Sequence, residues 1–416
     1  MVYRMRRPRG APSGGQKTEP ADTDADCTGL ILSGGGARAA YQVGVLKAVS
    51  DLLPPGSPTP FQILCGTSAG AINAAALASY AHRFRAGVRG LEAVWRDFRA
   101  CDVYRTGFGH LSLNAGRWLG ALFLGGLGVR RPESLLDNSP LEELIERTIR
   151  FGRIRQAVDS GMLRALSVTA SCYRQGESVA FYQGAPELSP WRRARRSGQP
   201  AVIDRRHLMA SAAIPGIFPP VKLGGRWYGD GAVRQIAPIS PALHLGARRV
   251  LVIGVSASPT PGGNGDDTAP SLADVAGHVF NSAFIDSLES DLERLERINN
   301  TLELLPLGQH GSEALALRPV EAFVIRPSVS PAALASRFGH ELPASMRFFL
   351  RGTGASRDGG ESVILSYLLF ERGYCRALMD LGYHDALRRE PQLRRFLGLE
   401  EHARAYRVPH PPADVC

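Results

Sequence analysis

A Gly-x-Ser-x-Gly pentad constrains this chain more than any other feature of its sequence. The pentad is centred on Ser68, follows an apolar run at residues 61–64 and leads into an alanine-rich run at residues 71–77. A serine hydroxyl is nearly inert at neutral pH, so a nucleophilic serine needs a sharp strand-to-helix turn that exposes it to a base. Gly66 and Gly70 suit such a turn, because a side chain at either position would crowd it. The pattern predicts a nucleophile elbow, and a loop serine between small residues is the alternative.

A second glycine-rich loop precedes the pentad. Residues 29–32 have the composition of a buried strand, and apolar residues recur at helical spacing over residues 37–50. Between these two elements lie Gly34, Gly35 and Gly36. Three successive glycines at a helix start leave several N–H groups unobstructed, and the positive end of the helix dipole favours an anion there.

Two kinds of anion fit this glycine loop: the oxyanion of a tetrahedral intermediate, or the phosphates of a nucleotide. The loop and Ala39 satisfy the dinucleotide pattern, but Asp51 follows Ala39 by only 12 residues. The ribose-binding acid of that pattern lies roughly 20 residues beyond the glycines. Because the next strand also delivers a serine rather than an acid, we favour the oxyanion.

Two further blocks complete a resemblance to the patatin-like phospholipase family, in its bacterial type. The glycine loop resembles that family's oxyanion motif, and the pentad resembles its nucleophile elbow. Residues 210–220 resemble its Ala-Ile-Pro-x-x-Phe-Pro-Pro block, and residues 230–232 resemble its Asp-Gly-Gly/Ala turn. The four blocks occur in order over residues 28–235. Ala39 and Ala232 stand where glycine is often found, but neither substitution removes a reacting group.

The resemblance implies a three-layer α/β/α sandwich with a mainly parallel central sheet. It implies that Ser68 and Asp230 form a catalytic dyad without histidine and hydrolyse fatty acyl esters of phospholipids or related lipids. No cofactor or metal is expected. The N–H groups of the glycine loop would form the oxyanion hole. A catalytically silent lipid-binding protein of the same fold is the alternative function.

Two residues need a specific environment for these roles. An ordinary aspartate has a pKa near ~3.9 and is a weak base, so Asp230 needs contact with Ser68 and surroundings that raise its proton affinity. Arg38 would steady the glycine loop or contact a substrate phosphate, and an exposed helix arginine is the alternative.

A Ser-Asp-His triad is the mechanistic rival. Its candidate histidines lie in no recognisable motif: His244, His278, His310, His340 and His384.

The net charge of +10 comes mainly from arginine, because only three of the 49 basic residues are lysines. A basic surface would concentrate the chain at anionic membranes. Residues 191–196 form the densest basic cluster and include a tryptophan. We interpret this cluster as a loop first, a membrane contact second and a nucleic-acid site a distant third. The expected partner is therefore a lipid ester with peripheral membrane contact and no nucleic acid, and the oligomeric state stays open.

The chain divides into four predicted parts. Residues 1–26 form a disordered polar tail without the apolar region of a secretory signal, and residues 27–257 form the catalytic domain. Residues 258–270 form a linker or long loop, and residues 271–416 form a mostly helical region packed on the core. The apolar segment 118–129 is too short to span a bilayer and is either a flap over the acyl pocket, an interfacial segment or a buried connection.

Six scattered cysteines show no metal-binding or disulfide spacing. Free thiols are typical of a reducing compartment. The sequence thus predicts a cytoplasmic protein with peripheral contact at the inner face of the membrane.

Overall fold

The computed structural model describes residues 27–105, 107, 134–257, 287–304, 318–352 and 363–399, with the backbone alone at 349–352. The predicted N-terminal tail, apolar segment and linker lie outside these residues.

The described residues contain one large sheet. Its ten strands are β1 (Thr28–Leu32), β2 (Ile63–Thr67), β3 (Ala165–Cys172), β4 (Glu177–Gly184), β5 (Trp191–Arg193), β6 (Arg196–Pro200), β7 (Val221–Leu223), β8 (Arg226–Asp230), β9 (Arg249–Ile253) and β10 (Glu321–Ile325).

Thirteen α-helices accompany the sheet in the same part of the chain. They are α1 (Ala40–Leu52), α2 (Ala69–Ala78), α3 (Phe84–Arg96), α4 (Ser139–Thr148), α5 (Phe151–Asp159), α6 (Arg205–Ser211), α7 (Ser240–His244), α8 (Ser287–Glu303), α9 (Pro331–Phe338), α10 (Ala344–Gly352), α11 (Val363–Leu368), α12 (Arg372–Leu387) and α13 (Glu390–Phe396).

The spatial order of the sheet is β10-β9-β1-β2-β3-β4-β6-β5. The five strands from β10 to β3 run parallel, whereas β4 and β8 run antiparallel to β3. β7 forms an antiparallel hairpin with β8. The sheet is therefore mainly parallel in the half that leads to Ser68.

Both faces of the sheet are covered, as the alternation of side chains along β1 shows. Leu30 and Leu32 lie in the larger hydrophobic core, which they share with α1, α2 and α3. Ile31 points to the opposite face and lies in a second core with α7 and α8. Strands buried on both faces are typical of α/β folds. The three-layer α/β/α architecture predicted from the sequence is confirmed.

The register of β3 brings two distant strands end to end. Thr67, the last residue of β2, pairs with Thr169, and Asp230, the last residue of β8, pairs with the next residue, Ala170. Since β2 runs parallel and β8 antiparallel to β3, their carboxyl ends point at each other. This arrangement places Ser68 beside Asp230 at the carboxyl edge of the sheet.

The C-terminal part of the chain contributes to both the sheet and its covering helices. β10 pairs with β9 as the outermost parallel strand. α12 packs on α1 at glycine contacts on both helices: a Cβ at Gly44 would lie 1.9 Å from the Met379 carbonyl oxygen, and one at Gly382 would lie 2.2 Å from that of Tyr41. Side chains at these positions would force the helices apart.

The basic cluster at residues 191–196 is not the predicted loop. It forms the short antiparallel hairpin β5–β6. The Trp191 ring stacks between Tyr182 and His244, with centroids 5.3 and 4.9 Å away. Since Trp191 belongs to the packing of the second core, it does not have the exposed position that membrane contact would require. Among the helices that the structure describes, none is long and apolar enough to cross a bilayer.

Candidate active site

Ser68 lies at a sharp turn between β2 and α2, so the strand and the helix predicted on either side of it are both present. Its φ of 55° and ψ of −130° are a strained conformation for a residue with a side chain. A Cβ at Gly66 would lie 2.4 Å from the Ala71 Cα, and one at Gly70 would lie 2.3 Å from the Leu32 carbonyl oxygen. Both flanking glycines are therefore required by space, as the sequence predicted.

The side chains of Ser68 and Asp230 form a direct hydrogen bond. The Ser68 hydroxyl donates to Oδ2 of Asp230 at 2.6 Å. The other carboxylate oxygen accepts the backbone N–H of Ala232 at 2.9 Å, which fixes the orientation of the carboxylate. Ser68 is 3% exposed and Asp230 is completely buried. In this geometry a proton can pass from the serine hydroxyl to the carboxylate without a third group.

Burial raises the pKa of Asp230 to about 7, although its hydrogen bonds from Ser68 and Ala232 favour the charged form. Desolvation penalises the carboxylate because its charge loses the surrounding water. A carboxylate with this proton affinity is a far stronger base than an exposed aspartate. The structure thus supplies the environment that the sequence argument required.

Ser211 supports the turn that holds Ser68, a contact that the sequence analysis missed. Its hydroxyl accepts the Ser68 backbone N–H at 2.8 Å and donates to the Thr169 carbonyl at 2.6 Å. It therefore connects the backbone of the turn to β3. Ser211 lies in the block at residues 210–220, but no local pattern there indicates which serine would reach another element.

The glycine loop lies beside Ser68, and Gly36 lines the same cavity. Gly36 has a φ of 55°, and a Cβ there would lie 2.3 Å from the Tyr367 carbonyl oxygen. A Cβ at Gly35 would lie 2.5 Å from Val255, and Gly34 is buried as well. Glycine is therefore required by space at positions 35 and 36 of the loop.

A buried polar network fixes the glycine loop to the helices behind it. Gln42 donates to the Ser33 carbonyl at 2.8 Å and accepts from Asn73 at 3.0 Å. Asn73 also accepts the Trp95 indole N–H at 2.9 Å. Satisfied buried networks rigidify the groups they join. This network holds the loop in place relative to α2, the helix that Ser68 begins.

Arg38 is 2% exposed, so the interpretation as an exposed helix arginine is wrong. Its guanidinium donates to the hydroxyl of Ser366 at 2.8 Å and to that of Ser256 at 3.2 Å. It also lies over the Tyr367 ring, 4.3 Å from the centroid. These contacts tie the first turn after the glycine loop to two distant segments.

The described histidines of the rival triad lie elsewhere. His244 packs on Trp191, and burial, with nearby Arg193 and Arg196, lowers its pKa to about 4. His340 and His384 are exposed. His278 and His310 lie outside the described residues. Within the ranges that the structure describes, no group of three His, Cys, Asp or Glu side chains is placed to hold a metal ion.

A cavity of about 300 Å³ opens from Ser68 and follows one side of α2. Pockets of this size are large enough for a small organic ligand. The residues that line it around Ser68 are almost all apolar and include Ile72, Leu91, Trp95, Phe218 and Phe370. The helix α2 and the segment after it, from Ser68 to Tyr80, span about 18 Å at helical rise. The cavity can therefore accept an extended apolar chain whose first carbon lies at Ser68.

The model of the patatin-like phospholipase family matches residues 30–243, which include the glycine loop, Ser68 and Asp230. The chain belongs to the patatin-like phospholipase family.

Individual proteins match the chain at low sequence identity. A patatin-like phospholipase domain-containing protein of Aspergillus oryzae is 26% identical over 351 residues, which are 74% of this chain and 42% of that protein. The chain thus spans less than half the length of that curated relative. Human GIVD cytosolic phospholipase A2 matches with a TM-score of 0.43 and 13% identity, covering 90% of this chain and 60% of that one. VipD from Legionella pneumophila matches with a TM-score of 0.32 and 14% identity, covering 85% and 67%.

Proposed function

We propose that this patatin-like chain is a serine acyl hydrolase that uses Ser68 and Asp230 as a dyad. Ser68 Oγ attacks the ester carbonyl carbon while its proton moves to Asp230 Oδ2. The tetrahedral intermediate collapses, and the departing alkoxide takes that proton. Water then attacks the acyl-serine, gives a proton to Asp230 and releases the fatty acid as Ser68 recovers its hydrogen. N–H groups of the loop at residues 34–36 hold the oxyanion.

The observation that carries this proposal is the 2.6 Å hydrogen bond between the two side chains at the head of an apolar cavity. A nucleophile in contact with its base is the basic requirement of this chemistry, and the cavity suits the acyl part of the ester. The substrate class we propose is phospholipids or related lipid esters, as in the bacterial type of the family, with peripheral membrane contact.

Labelling with a serine-directed fluorophosphonate tests the proposal against a catalytically silent lipid-binding protein. We expect the native chain to be labelled at Ser68 and to release fatty acid from phospholipid vesicles. A correctly folded chain that neither labels nor hydrolyses phospholipid or soluble ester would contradict the proposal and favour the silent alternative.

The rate should depend on the ionisation of Asp230. Because the base must be deprotonated and its pKa is about 7, we expect kcat/KM for a soluble p-nitrophenyl ester to rise about tenfold per pH unit below 7 and to level off above it. The profile is measured with a buffer series at constant ionic strength. A plateau that extends unchanged to pH 5 would exclude Asp230 as the base.

Gly90 on α3 should control the length of acyl chain that the enzyme accepts. It lines the cavity, and a Cβ there would meet nothing within 4 Å. We therefore expect Gly90→Leu to fold normally but to fill part of the cavity. The ratio of kcat/KM for a long-chain over a short-chain p-nitrophenyl ester should fall about 10- to 100-fold.

Gly152 provides a matched control for this substitution. It is also a helical glycine with open space around its Cβ position, but it does not line the cavity. Gly152→Leu should leave the ratio unchanged. Equal ratios for the two variants would show that the acyl chain does not use this part of the cavity.

A further inference from the structure

An unusual amount of apolar surface is exposed next to Asp230. Tyr173 is 50% exposed, Trp227 46%, Val233 38% and Ile236 53%. They belong to the turn after β3, to the β7–β8 hairpin and to the segment that follows Asp230. We call these three segments, residues 173–176, 221–227 and 233–236, the hairpin face. Clustered exposed apolar side chains usually mark an interaction surface.

Cross-strand contacts place the two aromatic residues of the hairpin face side by side. The Tyr173 backbone N–H donates to the Trp227 carbonyl at 3.0 Å. The Tyr173 hydroxyl lies against Gly229, where a Cβ would approach it to 2.5 Å. Side chains two residues apart share one side of a strand. The Trp227 side chain therefore leaves the hairpin on the side that Tyr173 covers, and Lys222 lies 5.9 Å from its ring centroid.

Side-chain contacts join the remaining parts of the hairpin face to the same turn. Arg226 donates to the side-chain oxygen of Gln175 at 3.1 Å. Arg234 donates to the Gly176 carbonyl at 3.5 Å. The turn at residues 173–176 is thus in contact with both the hairpin and the segment after Asp230, so the three segments form one continuous surface.

The charge of the hairpin face has a single sign. Its charged residues are Arg174, Lys222, Arg226 and Arg234, and its three segments contain no aspartate or glutamate. All four side chains belong to exposed residues. Within the described part of the chain, none of them takes part in an ion pair.

The position of the hairpin face relates it to the candidate site. Trp227 precedes Asp230 by three residues on β8, and at a strand rise of about 3.3 Å per residue this is about 10 Å. β8 continues beyond the carboxyl end of β2. The hairpin face therefore lies about 10 Å beyond the Ser68–Asp230 pair along the direction of β2.

The cavity extends from Ser68 along α2 to Tyr80. Since the backbone N–H of Thr59, just before β2, donates to the Ala81 carbonyl, α2 runs back towards the amino end of β2, away from the carboxyl edge.

We propose that the hairpin face docks on the surface of an anionic lipid bilayer. Trp and Tyr favour the membrane interface, where an apolar ring and a polar group are both accommodated, and basic residues are attracted to anionic head groups. An anionic bilayer matches this uniform positive charge together with the exposed aromatic rings beside it. The inference rests on the proposed function, since docking would place Ser68 about 10 Å below the lipid surface with the acyl cavity beyond it.

Vesicle partitioning tests the proposal in the full chain carrying Ser68→Ala, so that no lipid is consumed. Cosedimentation is measured with phosphatidylcholine vesicles, with and without phosphatidylglycerol. We expect binding that needs the anionic lipid and weakens at high salt. Lys222→Gln/Arg226→Gln should lower the partition coefficient about 30-fold, at about tenfold per 1.4 kcal/mol. The control pair Arg297→Gln/Arg337→Gln removes the same charge from exposed helix positions and should partition like the parent.

Substitutions on the other two segments of the hairpin face, at Arg174 and Arg234, make the result independent of the folding of the β7–β8 hairpin. Arg174→Gln/Arg234→Gln should weaken partitioning to a similar degree. Trp227→Ser should weaken it at least about fivefold, whereas Phe348→Ser, at an exposed phenylalanine on α10, should not. Unfolding temperatures confirm that each variant is folded.

Three outcomes would overturn docking on a bilayer. The first is that the chain partitions equally onto vesicles with and without anionic lipid. The second is that the hairpin-face pair and the control pair lower the partition coefficient equally. The third is that both pairs of Gln substitutions on the hairpin face lower the partition coefficient but Trp227→Ser does not. That result would indicate a general polyanion site. Hydrolysis of a soluble ester by the native chain, measured separately, decides the proposed function, so its failure and the failure of docking are distinguished.

Discussion

Replacement of Ser68 by alanine should lower kcat for a soluble p-nitrophenyl ester by about 10⁴- to 10⁶-fold, to near the uncatalysed rate. The hydroxyl is the attacking group in the proposed mechanism, and Asp230 has no covalent chemistry of its own to replace it. The strained backbone and both flanking glycines remain, so the fold should persist. Activity and fluorophosphonate labelling should be lost together.

The control for this variant is Ser50→Ala. Ser50 is likewise buried, at 3% exposure, but its hydroxyl bonds the Lys47 carbonyl within α1. We expect its activity to stay within about twofold of the native value, because its hydrogen bond is local to the helix. A Ser68→Ala variant that keeps more than about a tenth of the native rate would show that another residue is the nucleophile.

Replacement of Asp230 by asparagine should lower kcat by about 10³- to 10⁴-fold and at the same time stabilise the protein at pH 8. The loss follows because an amide cannot take the Ser68 proton. The gain follows because the native fold holds a fully buried carboxylate whose pKa is raised to about 7. An asparagine of nearly the same shape can still accept the Ala232 N–H, and it carries no charge to desolvate.

The sign of the stability change with pH follows from proton binding. The unfolded aspartate releases its proton near pH ~3.9, whereas native Asp230 keeps it up to about pH 7. Between these values the native state binds more protons, so the contribution of Asp230 to stability falls as the pH rises. The loss of unfolding free energy caused by the buried carboxylate is absent below about pH 4 and reaches about 4 kcal/mol above pH 7.

Urea unfolding at pH 5 and pH 8 measures this effect as a difference between the native chain and Asp230→Asn, so that other titrating groups cancel. We expect the variant to be more stable by a few kcal/mol at pH 8 and by much less at pH 5. Asp159→Asn, an exposed aspartate on α5, should change neither value. A variant that is equally stable or less stable than native at pH 8 would contradict the raised pKa.

Much of the local structure follows from the sequence. The apolar runs and glycines around Ser68 predict a strand, a turn and a helix, and the structure has β2 and α2 there. The strand predicted at residues 29–32 matches β1 within one residue, and the helical pattern over residues 37–50 overlaps α1. Such features depend on periodicity and turn chemistry within a few neighbouring residues, so they can be recognised without the fold.

The wrong loop prediction at residues 191–196 and the excluded alternative of an exposed Arg38 have a common cause. The cluster at residues 191–196 has the arginine content of an exposed loop, yet its backbone pairs as a hairpin and Trp191 is covered by Tyr182 and His244. Arg38 has the sequence context of a surface helix, yet Ser256, Ser366 and Tyr367 enclose it. In both cases the covering atoms come from residues far along the chain, and a local pattern contains no information about them.

The sequence by itself determined the turn at Ser68 and the glycine loop, because strained turns and unobstructed N–H groups require particular residues at adjacent positions, whereas the pairing of Ser68 with Asp230 was expected only from the resemblance to the family. Only the tertiary structure decided that the pair, 162 residues apart, meets at 2.6 Å. The pairing of β2 and β8 with successive residues of β3 fixes that contact. Packing around Asp230 then sets its pKa, since desolvation depends on every element that covers the carboxylate. Among the residues that the structure describes, the same packing leaves the hairpin face exposed.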